Sequence, residues 1–418
     1  MIGIVLAAGK GKRLRPLTET RPKVLLPVLD KPLIYRSLKL LKLLNIEKIV
    51  VVVSYLKEMV MHVLRSFVDE LDIDIEFVDQ EKELGTAHAV MRALNEFSDD
   101  AIIVYGDLYL VPEDISKILN NVVKRTDIDG VVTGVSVNNV SRYGKLVTDG
   151  EKVIDIIEKP TENTPGIANA GIYFFKKSIL RYLKEIDISP RGEYELTDII
   201  KVARDKGLNA ILVKLSSDVW HDVGYPWDLL EVNKRELMKL KYSVIKGDID
   251  RLTTIKGSVI IEEGSIVRGA TYIEGPAYIG RDVIVGPNAY IRPYSVILDK
   301  AKIGFSVEVK ESIVMEKTRA AHLAYIGDSI VGEEVNFGAG TVLANLRFDE
   351  KTIKVWIEDK KIDSGRKKLG AIVGGYVKTG INVSIMPGVK IGSYSIIYPG
   401  ITVYRDVPPK TVVKDNWR

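Results

Sequence analysis

The sequence predicts two folds in series, an α/β domain with a mixed, mainly parallel sheet followed by a parallel β-helix. Three observations carry this. Short aliphatic runs alternate with amphipathic helical stretches through the first half, and that rhythm builds a sheet covered on both faces. The first run, Ile2 to Leu6, passes straight into a glycine loop rich in cations. Beyond Tyr242 the helical periodicity ends and an aliphatic residue recurs at every sixth position; sustained repetition of that kind marks a β-helix.

The elements follow in order. Ile2 to Leu6 reads as a buried strand, Leu33 to Leu44 as a helix and Ile49 to Val53 as the next strand. Ile73 to Val78 and Ala101 to Tyr105 are further strands, and Thr86 to Phe97 is a helix with Ala89, Ala93 and Leu94 inward. Ligands of such sheets bind at the carboxyl ends of strands, where the loop after Leu6 and Tyr105-Gly106-Asp107 both sit. Pro226 to Tyr242 is a helix striped by Leu229, Leu230, Leu237 and Leu240. The hexads run through Ile255, Ile261, Val267, Ile273, Ile279, Val285, Ile291, Ile297, Ile303 and Val309, slip between Met315 and Val331, and resume at Phe337 and Leu343. A loop from Leu346 to Leu369 interrupts them; they return at Val373, Thr379, Ile385, Ile391, Ile397 and Val403. The expected boundaries are 1–235 for the first domain, 236–250 for a linker, 251–404 for the β-helix and 405–418 for a tail.

Composition narrows the function. A chain of 418 residues is too long for one ordinary core, and 46% hydrophobic residues supply two. The net charge of +4 comes from basic residues interspersed with acids, so no nucleic-acid partner is expected. Cysteine is absent, which excludes disulfides and thiolate metal sites. Only His62, His88, His221 and His322 are present, too few and too scattered for a histidine-rich metal centre. No apolar stretch is long enough to span a bilayer, and the apolar start lacks a basic leader. The expectation is a cytoplasmic protein with no membrane partner.

The loop after the first strand carries the first chemistry. In Ala7, Ala8, Gly9, Lys10, Gly11, Lys12 and Arg13, small residues let backbone N–H groups approach a ligand. With neighbouring Lys and Arg they make a phosphate cradle. A dinucleotide fingerprint would need glycine where Leu14 stands, and a Walker loop would need Gly-Lys-Ser/Thr at its end. The whole run, through Arg21-Pro22-Lys23, instead resembles the signature of sugar-1-phosphate nucleotidylyltransferases, which implies a Rossmann-like domain. By that resemblance Leu6, Ala7, Ala8, Gly9, Gly11, Gln80, Gly85 and Thr86 hold the nucleotide, UTP or dTTP. Gln80 would read the pyrimidine edge, since an amide both donates and accepts. Tyr105, Gly144, Glu158, Lys159 and Asn169 would hold the sugar phosphate, and Asp107 and Asp222 would bind Mg²⁺. Arg13 and Lys23 would be catalytic, Arg13 on the triphosphate and Lys23 between the attacking phosphate and the α-phosphate.

The hexads resemble the left-handed parallel β-helix of hexapeptide-repeat acyltransferases. Ala321-His322-Leu323-Ala324-Tyr325-Ile326-Gly327-Asp328, followed by Asn336-Phe337-Gly338-Ala339-Gly340-Thr341 and Ala344-Asn345, resembles the acetyltransferase half of the GlmU family, in its archaeal bifunctional type. The resemblance implies His322 as general base, Arg292, Lys310, Tyr325, Asn336 and Lys351 at the amino-sugar acceptor, Ala339, Asn345 and Arg405 at acetyl-CoA, and a homotrimer. Leu346 departs from the pattern by replacing an aromatic, and Trp220-His221-Asp222 looks more like the thymidylyl and mannose-type enzymes. The expectation is therefore a bifunctional enzyme of nucleotide-sugar synthesis, with the sugar epimer and the base left open. Two other readings remain: a nucleotidyltransferase with a purely structural β-helix, and a non-catalytic regulatory subunit. Intact Arg13, Lys23, Asp107 and Asp222 argue against the last.

Overall fold

The computed structural model describes residues 1–94 and 99–417. Two compact units emerge, one of Met1–Lys10, Pro22–Leu26 and Pro32–Asp222, the other of Gly11–Arg21, Pro27–Lys31 and Val223–Arg418.

The first unit is built on a nine-stranded sheet. Its strands are β1 (Ile2–Ala7), β2 (Lys48–Val53), β3 (Asp74–Asp79), β4 (Ala101–Tyr105), β5 (Gly130–Val137), β6 (Gly144–Asp149), β7 (Lys152–Glu158), β8 (Gly166–Phe175) and β9 (Ala210–Leu215). They lie in the order β3-β2-β1-β4-β8-β5-β9-β7-β6. The first four are parallel, joined by the helices Leu33–Leu43, Lys57–Leu71 and Thr86–Ala93. The third helix, expected to run on to Phe97, is instead capped by an extended Leu94, and residues 95–97 lie outside the described residues. At β8 the direction reverses: β8 is antiparallel to β4 and to β5, β9 is parallel to β5, and β7 is antiparallel to β9 and β6. The sheet is thus mixed but mainly parallel, with only β8 and β7 running against the other seven strands. The central strands are covered on both faces. Ile4, Val5, Val51 and Ile103 are fully buried, which is why these strands read as unbroken aliphatic runs.

Register positions the site. Leu6 pairs with Tyr105, and the Gly106 N–H donates to the Leu6 carbonyl at 2.9 Å. The loop after β1 and the segment leading to Asp107 therefore leave the sheet side by side. A short ribbon pairs Leu108–Leu110 with Trp220–Asp222, setting Asp222 opposite Leu108.

The second unit is the three-sided left-handed hexad coil. Its three sheets hold eight, nine and eight strands, all parallel. The inward residues Ile273, Ile279, Val285, Ile291, Ile297 and Ile303 are fully buried in one continuous stack. Ile261 pairs with Ile279 and Ile279 with Ile297, a turn of three hexads. The next pairings, Ile297 with Val314 and Val314 with Val331, are each one residue shorter. The slip is thus two five-residue corners, 309 to 314 and 326 to 331, and the first precedes the expected region. Buried serines fill both. Ser312 Oγ donates to the Lys310 carbonyl at 2.7 Å, and Ser329 Oγ donates to the Gly327 carbonyl at 2.7 Å. The turn residues there, Glu311 and Asp328, adopt left-handed backbone with φ of 42° and 47°.

The insertion between Leu346 and Leu369 carries a hairpin of Lys354–Ile357 and Lys360–Asp363. The coil resumes with Ile372–Val373 paired on Ile330–Val331, so the stack is unbroken. Strands Val244–Ile245 and Asp248–Ile249 already pair with the coil inside 236–250, and Val412–Val413 pairs with Ile396–Ile397 inside 405–418. Each inward side chain is clamped between coils above and below. Ile303→Ala should therefore destabilise the second unit by about 2–4 kcal/mol, read as a lower urea midpoint by circular dichroism with unchanged slope.

Candidate active sites

In the first unit a lysine ties two carboxylates together. Lys23 is buried, donates from Nζ to Asp107 Oδ2 at 2.6 Å and lies 3.8 Å from Asp222 Oδ1. One aspartate follows β4 and the other ends the ribbon, so sheet and ribbon together set the spacing. A buried ammonium requires such partners. Among the described residues no three or more His, Asp or Glu side chains form a metal cage, so Asp107 and Asp222 form a pair. Two carboxylates suit a hard divalent cation that takes its remaining ligands from phosphate oxygens and water.

The nucleotide-side residues are shaped by backbone. Ala7 and Ala8 are buried, Leu6 is half-buried and Gly9 is exposed. Gln80 is buried and its Nε2 donates to the Gly85 carbonyl at 2.9 Å. Gly85 has φ of 112°, and a Cβ there would fall 2.5 Å from the Tyr194 carbonyl oxygen. Only glycine fits. Thr86 Oγ1 accepts the Leu196 N–H at 2.9 Å. Gly11 and Arg13 belong to segment 11–21 of the second unit. There Thr18 Oγ1 donates to the Gly11 carbonyl at 2.8 Å, Arg13 lies over the Tyr225 ring at 5.5 Å, and Arg21 donates to both oxygens of Glu316 at 3.1 and 2.7 Å.

The residues expected at the sugar phosphate converge. Asn169 Nδ2 donates to the Tyr173 hydroxyl at 2.5 Å, and that hydroxyl lies 3.4 Å from the hydroxyl of Tyr105. Burial pushes Tyr105 well above the ordinary phenol range. Any side chain at Gly144 would meet Glu158 Oε1 at 2.9 Å. Lys159 is exposed, with a left-handed φ of 44°.

Three neighbours escaped the sequence reading. Thr197 Oγ1 donates to Glu158 Oε1 at 3.1 Å, Arg191 donates to Glu195 Oε1 at 2.8 Å, and Arg191 lies 3.9 Å from Glu158. Burial raises Glu158 and lifts buried Glu195 to about 7. The only sequence signal was the acidic run Glu193 to Asp198, which looks like a solvated turn.

In the second unit the expected acyl residues line the outside of the coil. His322 ends the strand Arg319–His322 and is exposed. Arg292 donates to Glu308 Oε1 at 2.9 Å. Lys310 donates to Asp328 Oδ2 at 2.7 Å, and Asn345 Nδ2 donates to the Tyr325 hydroxyl at 3.0 Å and to Asp328 Oδ2 at 2.5 Å. Lys310, Tyr325 and Asn345 thus meet at Asp328, which the sequence reading did not single out. Burial raises Tyr325 above its ordinary value. Asn336 and Lys351 are exposed and Ala339 is half-buried, its carbonyl accepting the Asn382 N–H at 2.8 Å. Arg405 is exposed and lies over the Trp417 ring at 4.8 Å.

An α/β sheet with a cation loop and paired aspartates, joined in sequence to a hexad coil with an exposed histidine, defines a transferase with two separate sites. The nucleotidyl transferase family matches residues 2–239, and the GMPPB C-terminal domain matches residues 273–379. Over 410 residues the chain is 47% identical to a bifunctional sugar-1-phosphate nucleotidylyltransferase/acetyltransferase of Sulfurisphaera tokodaii, covering 97% of this chain and 98% of that one. It is 43% identical to the bifunctional protein GlmU of Methanocaldococcus jannaschii, covering 99% and 97%. Against the bifunctional protein GlmU of Methanococcus maripaludis it is 41% identical, with the same coverage. The chain belongs to the nucleotidyl transferase family, in its bifunctional nucleotidylyltransferase/acetyltransferase branch, and is an enzyme with both activities. Among the described residues no helix is long and apolar enough to cross a membrane.

The raised carboxyl of Glu195 has a sign that can be tested. A carboxyl lifted from 4.5 in the unfolded chain to about 7 in the folded one stabilises the fold fully below pH 4.5, and that contribution is lost as pH rises through about 7. Its full size is about 3 kcal/mol. In Glu195→Gln this loss is absent. The variant's stability relative to wild type should therefore climb by up to about 3 kcal/mol between pH 4.5 and pH 8, measured by urea unfolding; a pH-independent difference would refute the assignment.

Proposed function

We propose that this enzyme acetylates the amino group of glucosamine-1-phosphate or galactosamine-1-phosphate with acetyl-CoA. It then transfers a nucleotidyl group from UTP or dTTP to the N-acetylhexosamine-1-phosphate, or to glucose-1-phosphate, giving a nucleotide sugar of the UDP-N-acetylglucosamine type and pyrophosphate. The observation that carries the two-site reading is the placement of His322. Its imidazole stands exposed on the outside of the coil, where a structural histidine of the stack would point inward.

The nucleotidyl step is a displacement at phosphorus. A phosphate oxygen of the sugar-1-phosphate attacks the α-phosphorus, and the bond to the pyrophosphate oxygen breaks. Positioning and charge stabilisation do most of the work in such reactions. Lys23 supplies positive charge at the reacting phosphates, and Arg13 supplies it at the triphosphate. Asp107 and Asp222 would hold Mg²⁺, whose chemistry there is neutralising phosphate charge. Gln80 is locked by its bond to Gly85, which supports a fixed edge for a pyrimidine. Tyr105, Gly144, Glu158 and Asn169 form the wall for the sugar, with Lys159 beside them.

The acetyl step needs a free amine. His322 takes a proton from the sugar ammonium, as imidazole is suited to do near neutral pH. The amine nitrogen attacks the thioester carbonyl, the C–S bond breaks and CoA leaves as the thiol once protonated. The backbone N–H of Ala339 would face the oxyanion. Arg292, Lys310, Tyr325, Asn336 and Lys351 hold the acceptor, with Asn345 and Arg405 toward acetyl-CoA. Phe305, Leu323 and Phe348 are large apolar side chains exposed on this unit, which supports a homotrimer with coils packed side by side. We place the enzyme in the cytoplasm, where its anionic co-substrates are made.

His322→Ala should lower CoA release from acetyl-CoA and glucosamine-1-phosphate by at least about 10²-fold, while pyrophosphate release from UTP or dTTP stays unchanged. EDTA should do the reverse, stopping pyrophosphate release and sparing CoA release. Wild-type enzyme that releases no CoA with either amino-sugar phosphate would leave the coil a structural post.

A further inference from the structure

We propose that Asp328 is the positioning residue of the acetyl-acceptor site, holding Lys310, Asn345 and, through Asn345, Tyr325 as one rigid unit. This rests on the acetyl-transfer reading above. The three held residues come from different coils: Lys310 ends the strand Glu308–Lys310, Tyr325 begins Tyr325–Gly327, and Asn345 follows Val342–Leu343. Nothing in the backbone ladder fixes the rotamers of side chains that point outward. The Asp328 carboxylate does. Its Oδ2 accepts Lys310 Nζ at 2.7 Å and Asn345 Nδ2 at 2.5 Å, and the same Asn345 nitrogen reaches the Tyr325 hydroxyl at 3.0 Å. Arg366, from the insertion, lies 3.8 Å from Oδ1.

The carboxylate is not needed to build the coil. The Asp328 N–H already donates to the Lys310 carbonyl at 2.8 Å, and its own carbonyl accepts the Gly370 N–H at 2.8 Å. Its left-handed backbone, φ 47°, would suit asparagine or glycine at least as well. A carboxylate only 2% exposed loses its hydration, a cost that close cationic partners must offset. The buried charge therefore acts on its partners. It confines the Lys310 ammonium to one direction, toward a bound phosphate, and with Asn345 it turns the Tyr325 hydroxyl toward the acceptor sugar. On this view Asn345 also serves the acceptor, through its bond to the Tyr325 hydroxyl. One coil earlier Glu311 occupies the matching five-residue corner and takes Arg366 at 2.6 Å and Lys234 at 3.3 Å, which leaves Asp328 to Lys310 and Asn345.

The test is Asp328→Asn, which keeps the shape and the left-handed turn and removes the charge. CoA release is measured with glucosamine-1-phosphate and acetyl-CoA varied in turn. KM for glucosamine-1-phosphate should rise at least about tenfold, since loosened positioning costs binding of the acceptor alone. KM for acetyl-CoA should stay within about twofold and pyrophosphate release should be unchanged. In a Lys310→Gln background the same substitution should cost much less, because the two act together. An unchanged acceptor KM, an equal rise for both co-substrates or full additivity with Lys310→Gln would each overturn the inference. Should Asp328→Asn fail to fold, Asn345→Ala carries the test: the acceptor KM should rise, and a rise confined to acetyl-CoA would refute it. Wild-type protein without CoA release would instead sink the acetyl-transfer reading, and this inference with it.

Discussion

One aliphatic side chain facing inward at each sixth residue is the constraint on which the second half of this protein depends. Ile279, Ile297, Val314 and Val331 lie directly above one another, each fully buried. An inward stack with that regularity also fixes what faces outward. Lys310 pairs with Gly327 across adjacent strands and Tyr325 with Val342, so side chains far apart in sequence are brought within hydrogen-bonding reach. The five-residue corners sharpen this. Left-handed turns recur at the six-residue corners too, but the short corners carry Glu311 and Asp328, whose carboxylates take Arg366 and Lys310. The proposed acyl site is in this sense a by-product of packing, since the period places the rows and the short corners decide which charges meet.

The α/β unit reaches a similar result by another route. Here the constraint is the register of β1 against β4, with Leu6 opposite Tyr105. It brings the glycine loop and the Asp107 segment out of the sheet at one edge. The ribbon of Leu108–Leu110 with Trp220–Asp222 then returns a second carboxylate from far along the chain. Lys23 is held between them. A lone buried ammonium would be expelled by desolvation, and two aspartates without a cation would repel each other. The trio is stable because the ammonium offsets both carboxylates, and that compensation holds the three side chains together in the fold.

Much of this was legible in the sequence. The hexads announced themselves because burial in a stack tolerates only a narrow set of side chains, so the period is written on every coil. The glycine loop was legible for a similar reason: Gly11 takes a left-handed φ of 61°, a conformation that favours glycine. What stayed hidden were residues whose role depends on distance alone. Asp328 in Ile326-Gly327-Asp328-Ser329 reads as an ordinary turn aspartate, and only the shortened corner reveals that it is buried beside Lys310. Glu195 lies in an acidic run that looks solvated, yet it is buried against Arg191. The reversal of strand direction at β8 was also unreadable, because a strand buried on both faces carries the same aliphatic pattern whichever way it runs.

On the proposed reading, the two sites share a design that follows from their substrates. Both would bind phosphate esters, and both present a lysine that is already committed to a carboxylate, Lys23 to Asp107 at 2.6 Å and Lys310 to Asp328 at 2.7 Å. A lysine side chain is long and rotamer-rich, and ordering it on substrate binding would cost affinity. A permanent carboxylate partner settles that ordering during folding instead. The remaining N–H bonds of the ammonium are then aimed before the phosphate enters. The carboxylate also lowers the net positive charge, so each pocket trades long-range attraction for direction. For a transferase whose rate rests on alignment of two bound reactants, direction is the more valuable of the two.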